Sequence, residues 1–129
     1  MTEPRHIRLQ LADNRPDPAA LLAHAQEVIS SDLDRSPPPK ELPQNGRLRV
    51  GVDLGTAYTV LTVLDEGGTP LIGEYRFAQV VRDGLVVDFI GAVDLLREMK
   101  ARIEARLGRK LTHAASGFPP GVPRAERQA

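Results

Sequence analysis

Residues 49–63 leave few folds open: Arg49-Val50-Gly51-Val52-Asp53-Leu54-Gly55-Thr56-Ala57-Tyr58-Thr59-Val60-Leu61-Thr62-Val63. Two runs rich in Val, Leu and Thr flank a Gly-Thr turn, which is the pattern of a tight hairpin between buried strands. The first run ends on an acid. A phosphate chain needs unblocked backbone N–H groups, a hydroxyl donor, and a carboxylate to hold a hydrated metal ion. Gly55 permits close backbone approach, Thr56 offers the hydroxyl, and Asp53 is the carboxylate. An ordinary hairpin, with Gly for the turn and Asp as its cap, fits the same four residues, so both readings stand at this level.

The rest of the chain frames that hairpin. Residues 48–53 and 58–64 read as paired strands. Asp65-Glu66-Gly67-Gly68-Thr69 supplies turn chemistry before a third strand over 70–77. Two short apolar runs within 79–88 are broken by Asp83-Gly84, a strong turn signal. An amphipathic helix follows over 89–107. Val93, Leu96, Ile103 and Leu107 form its apolar stripe, with Phe89 and Met99 near the edges, and Gly108 is its C-cap. Arg97, Glu98, Lys100, Arg102, Glu104 and Arg106 read as a solvated face. A further strand is expected within 111–116. Strands, helix, then strand make an α/β arrangement with a crossover helix.

Upstream, residues 1–46 form an arm distinct from the compact part, residues 47–129. Asp17 suits an N-cap and Pro18 the first helical position of a short helix running to Ile29. Leu21, Leu22, Ala25, Val28 and Ile29 fall on one face. So short a helix is marginal by itself, and two readings remain open: it folds back on its own domain, or it docks in a partner's groove. Pro37, Pro38, Pro39 and Pro43 mark a polyproline-type linker that would give such a helix reach.

Composition excludes several functions. A chain of 129 residues has room for one modest domain. Lys+Arg and Asp+Glu are both 17, and this zero net charge, with aromatics at 4%, argues against a nucleic-acid-binding module. With no Cys, disulfides and thiolate metal sites are ruled out. No apolar run approaches the ~20 residues of a membrane span, and the first residues lack a signal-peptide pattern, so a cytoplasmic location is expected. His6, His24 and His113 have no metal-ligand spacing, Ser116 is not in a nucleophile elbow, and Tyr75 and Phe77 read as strand packing. P-loop and dinucleotide fingerprints are not present in the sequence.

The segment Val50-Gly51-Val52-Asp53-Leu54-Gly55-Thr56-Ala57-Tyr58-Thr59 resembles the first phosphate motif of the actin, Hsp70 and sugar kinase superfamily. More narrowly, residues 47–121 resemble the EutJ family of ethanolamine-utilization chaperone-like proteins. The quoted turn carries the likeness, and so do Asp65-Glu66-Gly67-Gly68, the block from Val80-Val81-Arg82-Asp83-Gly84 to Val93, and the run from Gly108-Arg109-Lys110-Leu111 to Gly121. Bacterial actins such as MreB share a similar Arg-Asp-Gly block.

The resemblance implies an RNase H-like fold of actin/Hsp70 ATPase type. It also implies ATP and Mg²⁺ as cofactors, and a role beside ethanolamine-pathway or microcompartment proteins. Asp53 would hold Mg²⁺ through water, and the backbone of Gly55, Thr56, Ala57 and Tyr58, with the Thr56 hydroxyl, would meet the phosphates. The Arg82-Asp83-Gly84 segment would be structural. Ala57 stands where Hsp70 relatives commonly carry a hydroxyl residue, and bacterial actins also carry Ala there. The superfamily's later phosphate and adenosine motifs do not occur by Ala129, so an incomplete first lobe is expected, one that does not hydrolyse ATP alone. A non-catalytic scaffold, or an MreB-type interaction module with a partner-docking N-terminal helix, is the alternative.

Overall fold

The computed structural model describes residues 17–36, 39, 42 and 44–117. Pro37, Pro38 and Pro43 of the expected linker lie outside those residues, as do His6 and the end of the resemblance at Gly121.

The hairpin forms as its residues require. Strand β2 is Arg49–Leu54, β3 is Tyr58–Leu64 and β4 is Pro70–Phe77. β2 and β3 are antiparallel with Val52 opposite Leu61 and Asp53 opposite Val60, and β4 lies antiparallel on the other side of β3. Alternation puts Val50, Leu61, Val63 and Ile72 on one face, where they are buried. A β-hairpin of β5 (Val81–Arg82) and β6 (Leu85–Val86) follows. Its turn is Asp83-Gly84, with φ of 51° and 76°, the left-handed geometry that a two-residue hairpin loop of this type demands.

Helix α2, Phe89–Leu107, then crosses that face. Asp88 caps it by accepting from the Gly91 N–H at 2.9 Å, and Gly108 ends it in the left-handed region at φ 66°. Its buried stripe is Ala92, Met99, Ile103 and Leu107, spaced by about two turns and then one turn each. Met99, placed at the stripe's edge from the sequence, is fully buried at its centre, whereas Phe89 is exposed and Val93 and Leu96 are half-buried. The chain returns as β7, Ala115–Ser116, parallel to β2. This strand is shorter than the expected 111–116. The Leu111 N–H is bound by Glu104 Oε1 at 2.8 Å and its side chain enters the core, so pairing begins only at Ala115.

The N-terminal helix α1, Pro18–Val28, has Asp17 as N-cap and Pro18 at its first position, as read from the sequence. It ends one residue early. Ile29 and Ser30 turn out as β1, which extends the sheet by pairing parallel to β4. The five-stranded order is β1-β4-β3-β2-β7. Of the two readings for this helix, docking on its own domain is the one observed: α1 packs along β4, and His24 Nε2 meets the Pro70 carbonyl at 2.8 Å. Leu21, His24, Ala25 and Val28 are its half-buried side, while Leu22, about 100° round the helix from Leu21, stays exposed.

Leu33, just past β1, is buried against α2, and Arg106 donates to the carbonyls of Leu33 and Ser36. Arg106 therefore leaves the solvated face assigned to it. Glu104 and Arg102 leave it too: Glu104 binds Lys100 and the Leu111 N–H, and Arg102 reaches the sheet. No helix among the described residues is long and apolar enough to cross a membrane.

Candidate functional site

The β2–β3 turn is the candidate site, and its local bonds set what it can offer. The Gly55 N–H donates to the Tyr58 carbonyl at 2.9 Å, closing the loop. A Cβ on residue 55 would lie 2.7 Å from that same carbonyl oxygen, so the turn needs glycine for space. The Ala57 carbonyl accepts from the Ala78 N–H at 2.9 Å, which ties the turn to the end of β4. The N–H groups of Thr56 and Ala57 form no backbone hydrogen bond among the described residues. They, with the exposed Thr56 hydroxyl, are the donors the turn can offer an anion.

Asp53 is exposed at the end of β2. Its pairing with Val60 puts it on the face of the sheet away from α2, the face that also carries Tyr58 and Tyr75. Asp53, Gly55, Thr56, Ala57 and Tyr58 thus stand together on one open turn. The Gly55 N–H is the exception in function: its bond to Tyr58 removes it from the set of free donors. Among the described residues no group of three or more His, Cys, Asp or Glu is placed to hold a metal ion. A hydrated Mg²⁺ resting on one carboxylate and a ligand's phosphates suits such a donor set better than direct chelation.

Tyr75 and Phe77 depart from the strand-packing expectation. Phe77 is 66% exposed and Tyr58 51%, and the Tyr58 ring meets Tyr75 and Phe77 edge-on at 5.9 and 5.7 Å between centroids. An aromatic patch therefore borders the turn.

Behind it, on the α2 face, lies a polar cluster with no motif to announce it. Glu74 is 1% exposed, and its Oε1 accepts from Arg76 Nε at 2.9 Å and Arg102 Nη2 at 2.5 Å. Burial pushes the Glu74 carboxyl above its ordinary range, against the pull of the Arg76 hydrogen bond and charge, and Asp34 and Asp32 push the same way as burial. Farther along α2, hydrogen bonds from Lys100 and the Leu111 N–H lower Glu104 to about 2. His24 is engaged with Pro70, and His113 is exposed beside Thr112.

The EutJ protein of Escherichia coli (strain K12) is 47% identical to the chain over 75 residues, 58% of this chain and 27% of that protein. The EutJ of Salmonella typhimurium (strain LT2) is 48% identical over the same length. The crystal structure of ethanolamine utilization protein EutJ from Carboxydothermus hydrogenoformans matches at a TM-score of 0.61 and 48% identity, covering 67% of this chain and 32% of that one. Over this stretch the chain is EutJ-like. No protein-family model matches it. The chain spans about a quarter, 27%, of the length of the EutJ proteins whose sequences it matches. The EutJ structural match agrees with the α/β arrangement read from the hairpin and the crossover helix, and with the actin/Hsp70-type fold that the resemblance implies.

Proposed function

We propose that this chain carries the first phosphate-gripping half of a nucleotide site, in a EutJ-type chaperone-like protein of ethanolamine catabolism. One observation carries the reading: a tight turn with two unengaged N–H groups and an adjacent carboxylate, in a chain 48% identical to a EutJ of known structure. ATP is the ligand and Mg²⁺ its counter-ion. Asp53 holds the hydrated ion, while the N–H groups of Thr56 and Ala57 and the Thr56 hydroxyl face the phosphates. A half-site binds weakly and does not complete hydrolysis, because the groups that would enclose a nucleotide from the other side are not on this hairpin.

The test is a titration of the labelled chain with Mg²⁺-ATP, followed by amide NMR shifts. Thr56, Ala57 and Tyr58 are expected to move together, and Asp53→Ala to weaken the Mg²⁺-dependent part at least several-fold. Unmoved amides at millimolar Mg²⁺-ATP would sink the proposal.

The exposed aromatic patch favours a second reading, a non-catalytic scaffold that meets other ethanolamine-pathway or microcompartment proteins through this surface. On that reading Tyr75→Ser with Phe77→Ser abolishes co-purification with pathway proteins and leaves the folded state intact. Unchanged co-purification would remove it.

A further inference from the structure

Three buried polar atoms lack a partner among the described residues, and all three lie between the sheet and α2: Thr59 Oγ1, Glu74 Oε2 and Arg102 Nε. A buried polar group left unpaired is costly, so three in one place call for an explanation. Their positions are linked. Thr59 pairs with Arg76 across β3 and β4 and Leu61 with Glu74, so Thr59 and Glu74 are diagonal neighbours on one face, about 7–8 Å apart. Arg102 on α2 already touches the other oxygen of Glu74.

No direct Thr59–Glu74 hydrogen bond forms, and neighbours at this spacing can share one intervening molecule. The chemistry is complementary as well. Arg102 Nε–H can only donate, a carboxylate oxygen accepts, and a threonine hydroxyl does either. Two arginines occupy Oε1, and Oε2 is the oxygen left without a partner among the described residues.

We propose that Thr59, Glu74 and Arg102 enclose one buried water. It accepts from Arg102 Nε–H, donates to Glu74 Oε2 and bonds the Thr59 hydroxyl, the three bonds typical of an internal water. Thr59 is the residue directly after Tyr58, opposite Leu54 at the base of the phosphate-type turn. The water thus completes a polar plug that fixes the base of that turn against α2. Thr59 acts here as a positioning residue, and the inference does not rest on nucleotide binding.

Thr59→Val decides it, because the two side chains are near-isosteric and the sign of the effect differs. With the water present, the change removes one of its partners, and the unfolding equilibrium constant in urea is expected to rise roughly five-fold. If the hydroxyl were unpartnered, removing it would stabilise the protein and lower that constant, which overturns the proposal. The second measurement is independent of stability. Water-to-protein NOEs at Thr59 in the wild-type chain should show a long-lived water, and a crystal structure should place it about 2.7–3.2 Å from all three atoms. A dry site, or Thr59 bonded directly to Glu74, would also overturn it.

Discussion

Gly73→Ala isolates how the N-terminal arm is held. An added Cβ would lie 2.8 Å from Ile29 Cγ1, 3.1 Å from the Leu61 carbonyl oxygen and 3.3 Å from Thr62 Oγ1. The Leu61 carbonyl belongs to the backbone of a central strand and cannot give way cheaply. Ile29 is β-branched and stiff, and must open its contact by about 0.7 Å or more to reach ordinary carbon–carbon distance. Overpacking of this kind costs roughly 1–3 kcal/mol. What opposes release of the arm is of similar size. β1 is two residues long, His24 makes one hydrogen bond to Pro70, and α1 buries no residue fully. Two or three net hydrogen bonds contribute about 1–4 kcal/mol. Once detached, an 11-residue helix does not hold its structure in water.

Gly73→Ala is therefore expected to release β1 and melt α1 while the rest of the sheet stays folded. Hydrogen exchange should show lost protection over residues 18–30 and retained protection in β2, β3 and α2. Far-UV circular dichroism should fall by over a third of its helical part, since α1 has 11 residues and α2 has 19. Full protection over 18–30 with an unchanged unfolding midpoint would refute the close approach of β1 to Gly73. Collapse of the whole sheet would refute the arm's independence instead.

Met99 is fully enclosed between the sheet and α2, so Met99→Ala should destabilise by about 2–5 kcal/mol in urea unfolding; a loss under ~1 kcal/mol would mean that α2 is not seated on the core as described. Glu104 gives a pH signature. Lys100 and the Leu111 N–H lower its carboxyl from the usual 4.5 to about 2, so between those values the unfolded chain binds more protons than the folded one. Its contribution is present above pH 4.5 and is lost as pH falls toward 2. Glu104→Gln should flatten the stability profile within that window and leave its slope above it unchanged.

The parts of the fold that sequence pattern reached were those set by local chemistry. Tyr58–Leu64, Pro70–Phe77 and Phe89–Leu107 fall on the expected residues, because turn residues bracket the strands and Asp88 and Gly108 cap the helix from within a few residues. What escaped depends on contacts made far along the chain. Ile29 continues the helical pattern of Val28, yet pairing with Gly73, 44 positions away in sequence, draws it into β1. Arg106 belongs by pattern to a solvated stripe, and only the position of Leu33 and Ser36 over α2 makes it a clasp.

The site divides along the same line, and β4 shows why. Asp53, Gly55 and Thr56 were legible because a tight turn puts sequence neighbours side by side, so spacing alone assembles them. On β4, polarity read by itself puts Tyr75 and Phe77 inside and Glu74 and Arg76 outside. The register irregularity between β3 and β4 lies before Ile72, opposite Val63 and Leu64, and from Ile72 on the period of two holds: once Ile72 faces the core, Glu74 must face it too, and Tyr75 and Phe77 must face away. The inversion is tolerable only because α2 brings Arg102 over Glu74, from a residue 28 positions later. The buried carboxylate and the exposed aromatic rings are thus two sides of one register choice. The aromatic patch beside the turn exists because the core accepted an ion pair on the opposite face.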